Sequence, residues 1–226
     1  ITDHFKYGES AIKDRVISEA RVMRAWLHMT LAIGWGTPPL IDHVLTGADK
    51  PSNFEGGQKG LLEWCAKECE EAAKYLDYRK GASDKEAAVK VTKGFAQAVQ
   101  GKALLYAGEY EKAMVPLKEV MTNGGYSLVP GERMQELFHI EGDGNEEKVF
   151  EASVVNNNNL STYTQLYRST WQHANMWCWR GDRFQAVPKE VGMRSSGWGG
   201  LGVRTDFAEE FIANDGDSYR RKYSII

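Results

Sequence analysis

In the first half of the chain, apolar residues return every three or four positions in four successive stretches. This spacing places them along one side of an α-helix. The pattern predicts helices over residues 11–33, 60–78, 85–107 and 110–121. We therefore expect a mainly α-helical fold.

Each predicted helix should bury one of its faces in the core of the protein. The residues expected on these faces are Val16, Ala20, Met23, Leu27 and Leu31 in the first helix, Leu62, Cys65, Cys69, Ala72 and Leu76 in the second, and Phe95, Val99, Ala103 and Tyr106 in the third. The first helix is predicted to stop at residues 34–39, where two glycines free the backbone and two prolines remove hydrogen-bond donors.

The third and fourth helices carry the residue spacing of a tetratricopeptide (TPR) helix pair. The positions that match are Gly101, Leu104, Gly108, Tyr110, Ala113, Leu117 and Val120. The small residues let two antiparallel helices approach closely, and the large ones fill the groove beside them. One such pair cannot bury its face alone, so neighbouring helices or further parts of the protein must complete the stack.

The second half of the chain has little regular periodicity. Short extended runs are predicted at residues 126–129 and 149–154, with a turn rich in Gly, Asp and Asn at residues 142–145. A last helix is predicted over residues 205–213, with Thr205 or Asp206 as its N-cap. Between these elements we expect loops.

Composition excludes some classes of protein. The 226 residues are 42% hydrophobic, enough for a globular core, and the net charge is only −3 with no basic block, which argues against nucleic acid as a partner. No segment is apolar enough to cross a bilayer, and the first residues are not a signal peptide. The sequence is interpreted as a fragment whose membrane attachment, if any, lies outside it.

Residues suited to catalysis or metal binding do not form recognisable motifs. Cys65 and Cys69 lie one helical turn apart without a neighbouring His, so they are interpreted as buried thiols. The five histidines have no ligand spacing, and the signatures of serine hydrolases, zinc proteases, nucleotide-binding loops and dinucleotide-binding folds are missing. We predict that the protein is not an enzyme and binds no cofactor or metal.

The segment between residues 156 and 198 is rich in aromatic and polar side chains and is the predicted ligand-binding region. Its candidate residues are Trp171, Trp177, Trp179, Trp198, Tyr163, Tyr167, Asn175 and Arg180. Sugars present apolar C–H faces on which indole and phenol rings stack, while amide and guanidinium groups bind the hydroxyls. The alternative is that these rings pack against the helices and hold the loop in place. Trp26 and Trp64 lie within helices and are expected to make helix contacts, whereas Trp35 could do either.

Four blocks of sequence, in order, resemble the SusD/RagB family. They are Glu19 to Trp26; Gly36-Thr37-Pro38-Pro39-Leu40-Ile41; Thr92-Lys93-Gly94-Phe95-Ala96 with residues 103–113; and Gly125-Tyr126-Ser127-Leu128 with Leu137-Phe138 and residues 145–151. A weaker match follows in residues 205–221, where Asp217 to Arg221 resembles a further motif of the family. Members of that family are longer, with a lipoprotein signal before these blocks and a further region after them.

The resemblance implies a SusD-like α-helical scaffold of TPR-like pairs with a loop-rich ligand-binding side. In domain terms, residues 1–125 would form the scaffold and residues 126–226 the ligand-binding region. The resemblance also implies a lipid-anchored protein on the outer-membrane surface of a Gram-negative bacterium. Its expected partners are an oligosaccharide or polysaccharide and a SusC-like TonB-dependent transporter, with peptides as ligands in some branches of the family.

Two other functions are kept as alternatives. A TPR-type scaffold would bind a peptide or protein in the concave groove of its helices, with the aromatic residues buried. A glycoside hydrolase would need two carboxylates facing each other across the sugar at about 5 to 10 Å. Asp182, Glu190 and Asp206 are the candidates for that role.

Overall fold

The structure, a computed structural model, describes residues 10–152 and 203–224. The chain divides into two compact units, residues 1–151 and 152–226, which are described separately. The first unit contains the helices α1 (Ser10–Trp35), α2 (Gly57–Ala72), α3 (Lys93–Tyr106) and α4 (Tyr110–Asn123). The second contains α5 (Thr205–Asp215) and α6 (Tyr219–Ser224). The mainly α-helical prediction is confirmed.

Short 3₁₀-helices connect or follow the long helices of the first unit. They are Ala73–Tyr75, Lys85–Val89, Gly131–Phe138 and Ile140–Gly142. Within the described residues no strand occurs. The first unit is therefore a stack in which α1 packs on α2, α2 on α3 and α3 on α4.

The close approach predicted between the third and fourth helices is present. A Cβ added to Gly101 on α3 would lie 2.5 Å from Cγ of Leu117 on α4, so only glycine fits. Gly108, in the turn between them, has φ of +79°, a conformation that side chains disfavour. Ala113 is almost fully buried in the same contact. The residue spacing thus identified a real helix pair.

The buried face of α1 differs from the predicted one. The buried residues are Ser18, Val22, Ala25, His28, Met29 and Ala32, which again recur at intervals of three or four along the helix. Leu27 and Leu31, which were expected inside, are 53% and 41% exposed. The face that packs on α2 is the one with more small residues, because these let the two helices lie close together.

The third helix was predicted to begin at Lys85 but begins at Lys93. Residues 85–89 form a separate 3₁₀-helix, and Lys90 and Thr92 are extended. The Thr92 hydroxyl accepts a hydrogen bond from the Phe95 amide at 3.1 Å, which caps α3 and sets its start. At the other end Tyr106, predicted to face inward, is 54% exposed.

Three further local predictions were wrong. The second helix ends at Ala72 rather than Tyr78, and Leu76 is already extended. Residues 126–129 and 149–152 do not pair as β-strands. Instead, the Ser127 amide donates to the Glu146 carbonyl at 3.1 Å, and the Glu151 amide donates to the Ala88 carbonyl at 2.7 Å. The N-cap of α5 is Arg204, and no side chain caps that helix.

The core of the first unit combines small residues with an aromatic cluster. The rings of Phe95 and Phe150 stack with centroids 4.3 Å apart, and Trp26 meets both edge-on at 6.1 and 5.9 Å. These contacts join α1, α3 and the segment that ends the unit. Such aromatic pairs each add about 0.5–1.5 kcal/mol beyond the burial of their surface.

Candidate ligand-binding sites

The eight residues predicted to bind glycan all lie outside the described residues. They fall between residues 153 and 202, so their exposure and contacts stay predictions. The division of the chain into a scaffold and a ligand-binding region likewise stays a prediction. The structure describes the helical unit that precedes this segment and the two helices that follow it.

The three tryptophans of the helical unit have different environments. Trp26 packs in the aromatic cluster, and Trp64 lies edge-on to His28 at 5.6 Å and beneath the Arg24 guanidinium at 5.4 Å. Both are helix contacts, as predicted. Trp35, the last residue of α1, is 75% exposed.

A group of charged residues joins α1 to α2. Glu68 accepts two hydrogen bonds from Arg21, at 3.0 and 2.9 Å, and one from Arg24 at 2.7 Å. The hydrogen bond from Arg21 is the main reason why the pKa of Glu68 is lowered, and Arg24 adds to it. Arg24 also donates to the carbonyl of Asp42 at 3.0 Å, which holds the following loop.

His28, nearly buried on α1, holds the same loop by a second contact. Its Nε2 accepts the Ile41 amide at 3.0 Å, so the ring hydrogen is on Nδ1, which donates to the Arg24 carbonyl at 2.8 Å. These bonds specify the neutral tautomer. The loop that carries the Gly36 to Ile41 motif is therefore fixed to α1.

Arg79, only 3% exposed, anchors the end of the unit. Its guanidinium donates to five backbone carbonyls and to no carboxylate among the described residues; the acceptors are Gly81, Ala82, Gly144, Asn145 and Lys148, at 2.7 to 3.2 Å. The contacts fix the turn at residues 142–148. Local sequence patterns gave no signal for this role, because three of the acceptors lie at least 65 residues away.

A polar cleft lies where α2, α3 and α4 meet, with a volume of about 230 Å³. We call it the three-helix cleft. It is lined by Lys93, Gln97 and Gln100 of α3, by Val115, Pro116 and Glu119 of α4, by Glu70 of α2, and by Ala73 and Lys74 of the 3₁₀-helix that follows α2. The α3 residues are spaced by four and three, so they share one face of that helix. This polar stripe was not predicted from the sequence, although its helical spacing is visible there.

Tyr78 lies beside the three-helix cleft and contacts residues that line it. Its hydroxyl donates to Oε1 of Gln97 at 3.0 Å and lies 3.4 Å from Glu119. Burial raises the pKa of Tyr78, so the phenol stays protonated. Its ring is covered by the Lys93 ammonium, 4.9 Å from the centroid. No aromatic ring is among the residues that line the cleft.

The two described cysteines are buried thiols, as predicted. Burial raises the pKa of Cys65 to about 12, and raises that of Cys69 further. Such thiols are poor nucleophiles at neutral pH. In the described part of the chain no cluster of three His, Cys, Asp or Glu side chains is placed to hold a metal ion.

Of the three carboxylates considered for a hydrolase, only Asp206 lies in the described residues. It is exposed and accepts two hydrogen bonds from Arg204. Asp182 and Glu190 lie outside. None of the described helices is both long enough and apolar enough to span a bilayer.

Comparison with solved structures finds nine matching chains. A SusD-like carbohydrate-binding protein from Bacteroides fragilis aligns at 28% identity and a TM-score of 0.56, over 65% of this chain and 28% of that one. A second SusD-like protein of that species aligns at 22% identity and a TM-score of 0.67, over 89% of this chain and 36% of that one. Surface glycan-binding protein A from Bacteroides uniformis aligns at 18% identity and a TM-score of 0.68, over 98% of this chain and 44% of that one.

No protein-family model and no curated protein matches the chain. The alignments cover less than half of each of these three solved chains. The fold is that of an α-helical scaffold with TPR-like pairs, as found in the SusD superfamily. The likeness to SusD-like proteins, at 28% identity in the first of these alignments, confirms the resemblance to the SusD/RagB family.

Proposed function

We propose that this chain belongs to a glycan-binding protein of the outer-membrane surface, which captures oligosaccharides and delivers them to a SusC-like TonB-dependent transporter. The observation that carries the proposal is the alignment, at 28% identity, with a SusD-like carbohydrate-binding protein. The likeness to a surface glycan-binding protein over nearly the whole chain supports it. Lipid anchoring and the transporter partner are what membership of the family implies.

Within this proposal the ligand is bound by the aromatic segment between residues 156 and 198. Four of the seven tryptophans of the chain fall between Trp171 and Trp198. Their rings would stack on the C–H faces of sugars, while Asn175 and Arg180 would bind hydroxyl groups. The fixed helical unit would act as the support, since its loops and turns are tied by the Arg24, His28 and Arg79 contacts.

The test is binding of the purified protein to a panel of soluble polysaccharides, by affinity electrophoresis and then by isothermal titration calorimetry. We expect weak, saturable binding of at least one glycan without release of shorter products. The double substitution Trp177→Ala and Trp179→Ala should weaken binding about five- to 150-fold, because each lost ring contact is worth about 0.5–1.5 kcal/mol.

Trp35→Ala is the matched control, since Trp35 is exposed but lies outside the predicted region. It should leave the affinity within about twofold, a difference of roughly 0.4 kcal/mol. The proposal is wrong if no glycan of a broad panel binds, or if the double variant binds as well as the unchanged protein. Release of shorter sugars would instead identify a glycoside hydrolase.

Quenching of tryptophan fluorescence separates the proposal from a pure peptide scaffold. Quenching by oligosaccharides supports glycan binding by the aromatic segment. Quenching by peptides alone supports the scaffold. The Trp35→Ala variant removes the exposed indole of α1, so that a signal from that residue is not mistaken for one from the segment.

A further inference from the structure

The loop that follows the Gly36 to Ile41 motif contains a histidine placed between two carboxylates. The Nδ1 atom of His43 lies 2.8 Å from Oδ1 of Asp42, and its Nε2 atom lies 3.4 Å from Oδ1 of Asp49. An ionised carboxylate accepts hydrogen bonds and donates none, so each of these contacts needs an N–H group on the ring. Neutral imidazole has one N–H group, whereas the imidazolium has two. Both contacts are therefore hydrogen bonds only when His43 is protonated.

The surroundings of the two carboxylates keep them ionised. The hydrogen bond with His43 is the main reason why the pKa of Asp42 is lowered, and Arg24 of α1 adds to it. Hydrogen bonds from the Thr46 amide and hydroxyl are the main reasons why the pKa of Asp49 is lowered. Hydrogen bonds to Asp42 and then to Asp49 raise the pKa of His43. In the described part of the chain these two carboxylates are the charged groups that face the ring, while Arg24 acts on Asp42.

His43 joins two parts of the loop that are each held separately. The carbonyl of Asp42 is fixed to α1 by the guanidinium of Arg24, at 3.0 Å. The segment from Thr46 to Asp49 is a turn of its own, because the Asp49 amide donates to the Thr46 carbonyl at 3.2 Å and the Asp49 carboxylate accepts the Thr46 hydroxyl at 2.7 Å. Among the described residues, no other hydrogen bond ties this turn to a helix. The contact between His43 and Asp49 is thus the link between the turn and α1.

We propose that His43 is a proton-operated clamp, which ties the turn at residues 46–49 to α1 when the ring is protonated and releases the turn when the ring is neutral. The contact with Asp49 is the one that opens, since it is the longer of the two and Asp42 is the adjacent residue. The loop carries two exposed aliphatic side chains, Val44 at 86% and Leu45 at 46%. The clamp therefore decides whether this pair is held at one place on the surface.

The experiment is a nuclear magnetic resonance titration of the ¹⁵N-labelled full chain from about pH 5 to about pH 9, on both sides of the ordinary histidine pKa of about 6.5. The His43 ring should titrate above that ordinary pKa, and the backbone signals of residues 44–49 should shift with the same midpoint. Because the folded-state pKa is raised, the clamp is closed below this midpoint and opens as pH rises through it. The heteronuclear Overhauser effect of residues 44–47 should fall above the midpoint, since the released turn moves on the nanosecond timescale.

Two variants separate the clamp from an ordinary surface histidine. Asp49→Asn removes one of the two charges that face the ring, so it should lower the midpoint of His43 and abolish most of the accompanying backbone shifts. His43→Gln should give the open-loop signals at every pH. Asp143→Asn is the matched control, an exposed aspartate outside this loop, and should leave the midpoint of His43 unchanged. A midpoint that Asp49→Asn does not move, or a ring titration to which residues 44–49 do not respond, would overturn the proposal.

Discussion

Two helical glycines of the first unit should respond in opposite ways to the same substitution. A Cβ at Gly101 lies 2.5 and 2.6 Å from Leu117 side-chain atoms, whereas a Cβ at Gly34, in the last turn of α1, meets nothing within 4 Å. Alanine is favoured over glycine in a helix by roughly 0.5–1 kcal/mol. Gly34→Ala should therefore stabilise the protein by about that amount.

At Gly101 the helix preference is outweighed by overpacking. Forcing a methyl group into a filled core costs about 1–3 kcal/mol, so Gly101→Ala should destabilise the protein by about 1–2 kcal/mol. The assay is urea denaturation followed by far-ultraviolet circular dichroism, with the free energy of unfolding taken from the linear extrapolation. The two variants should then differ by roughly 2 kcal/mol.

A double variant shows whether Leu117 is the cause. Gly101→Ala combined with Leu117→Ala should lose less stability than the sum of the two single changes, because the added methyl group occupies space that Leu117 vacates. Additive losses, or a Gly101→Ala variant as stable as Gly34→Ala, would show that α3 and α4 are not in the contact described.

Three further predictions concern the contacts that hold the first unit together. Arg79→Met should lower the free energy of unfolding by about 3–5 kcal/mol and increase hydrogen exchange in residues 142–148, because it leaves buried carbonyls without donors; an effect below about 1 kcal/mol would contradict this role. Because the pKa of Glu68 is lowered in the folded state, its carboxylate stabilises the fold above the ordinary glutamate pKa, and this contribution is lost as pH falls through the lowered pKa. Between neutral pH and about pH 3, the free energy of unfolding should therefore fall less in Glu68→Gln than in the unchanged protein. Cys65 and Cys69 should not react with a disulfide reagent at pH 8 in a Cys178→Ser variant until urea unfolds the chain, and fast reaction in the native state would contradict their burial.

The sequence predicted those parts of the fold that depend on contacts between neighbours along the chain. The α3–α4 pair was found because Gly101 and Ala113 are small at the positions where the two helices touch, and because Gly108 takes the turn between them. The start of α3 was missed by eight residues, although Thr92 is a typical N-cap, since the apolar pattern continues through the separate 3₁₀-helix before it. The inner face of α1 was misjudged because periodicity favours large residues, whereas close packing on α2 selects Ala25 and Ala32.

Sites built from distant segments were less accessible to prediction. The five carbonyls around Arg79 are backbone groups, which every residue has, so no residue type signals them. The three-helix cleft combines residues of three helices, and its polar stripe from Lys93 to Gln100 looks like an ordinary solvent face until α2 and α4 are placed beside it. The aromatic segment is the reverse case: its composition suggests a function, and its residues lie outside those described.

Hydrogen exchange of the full chain, with and without a saturating oligosaccharide chosen from the binding panel, tests the central claim most directly. Stacking of tryptophan rings on sugar should slow exchange in peptides from residues 156–198. Exchange in α1 to α4 should be unchanged, because their hydrogen bonds are already fixed without ligand. Protection confined to the four helices, or no glycan that protects any segment, would contradict the account.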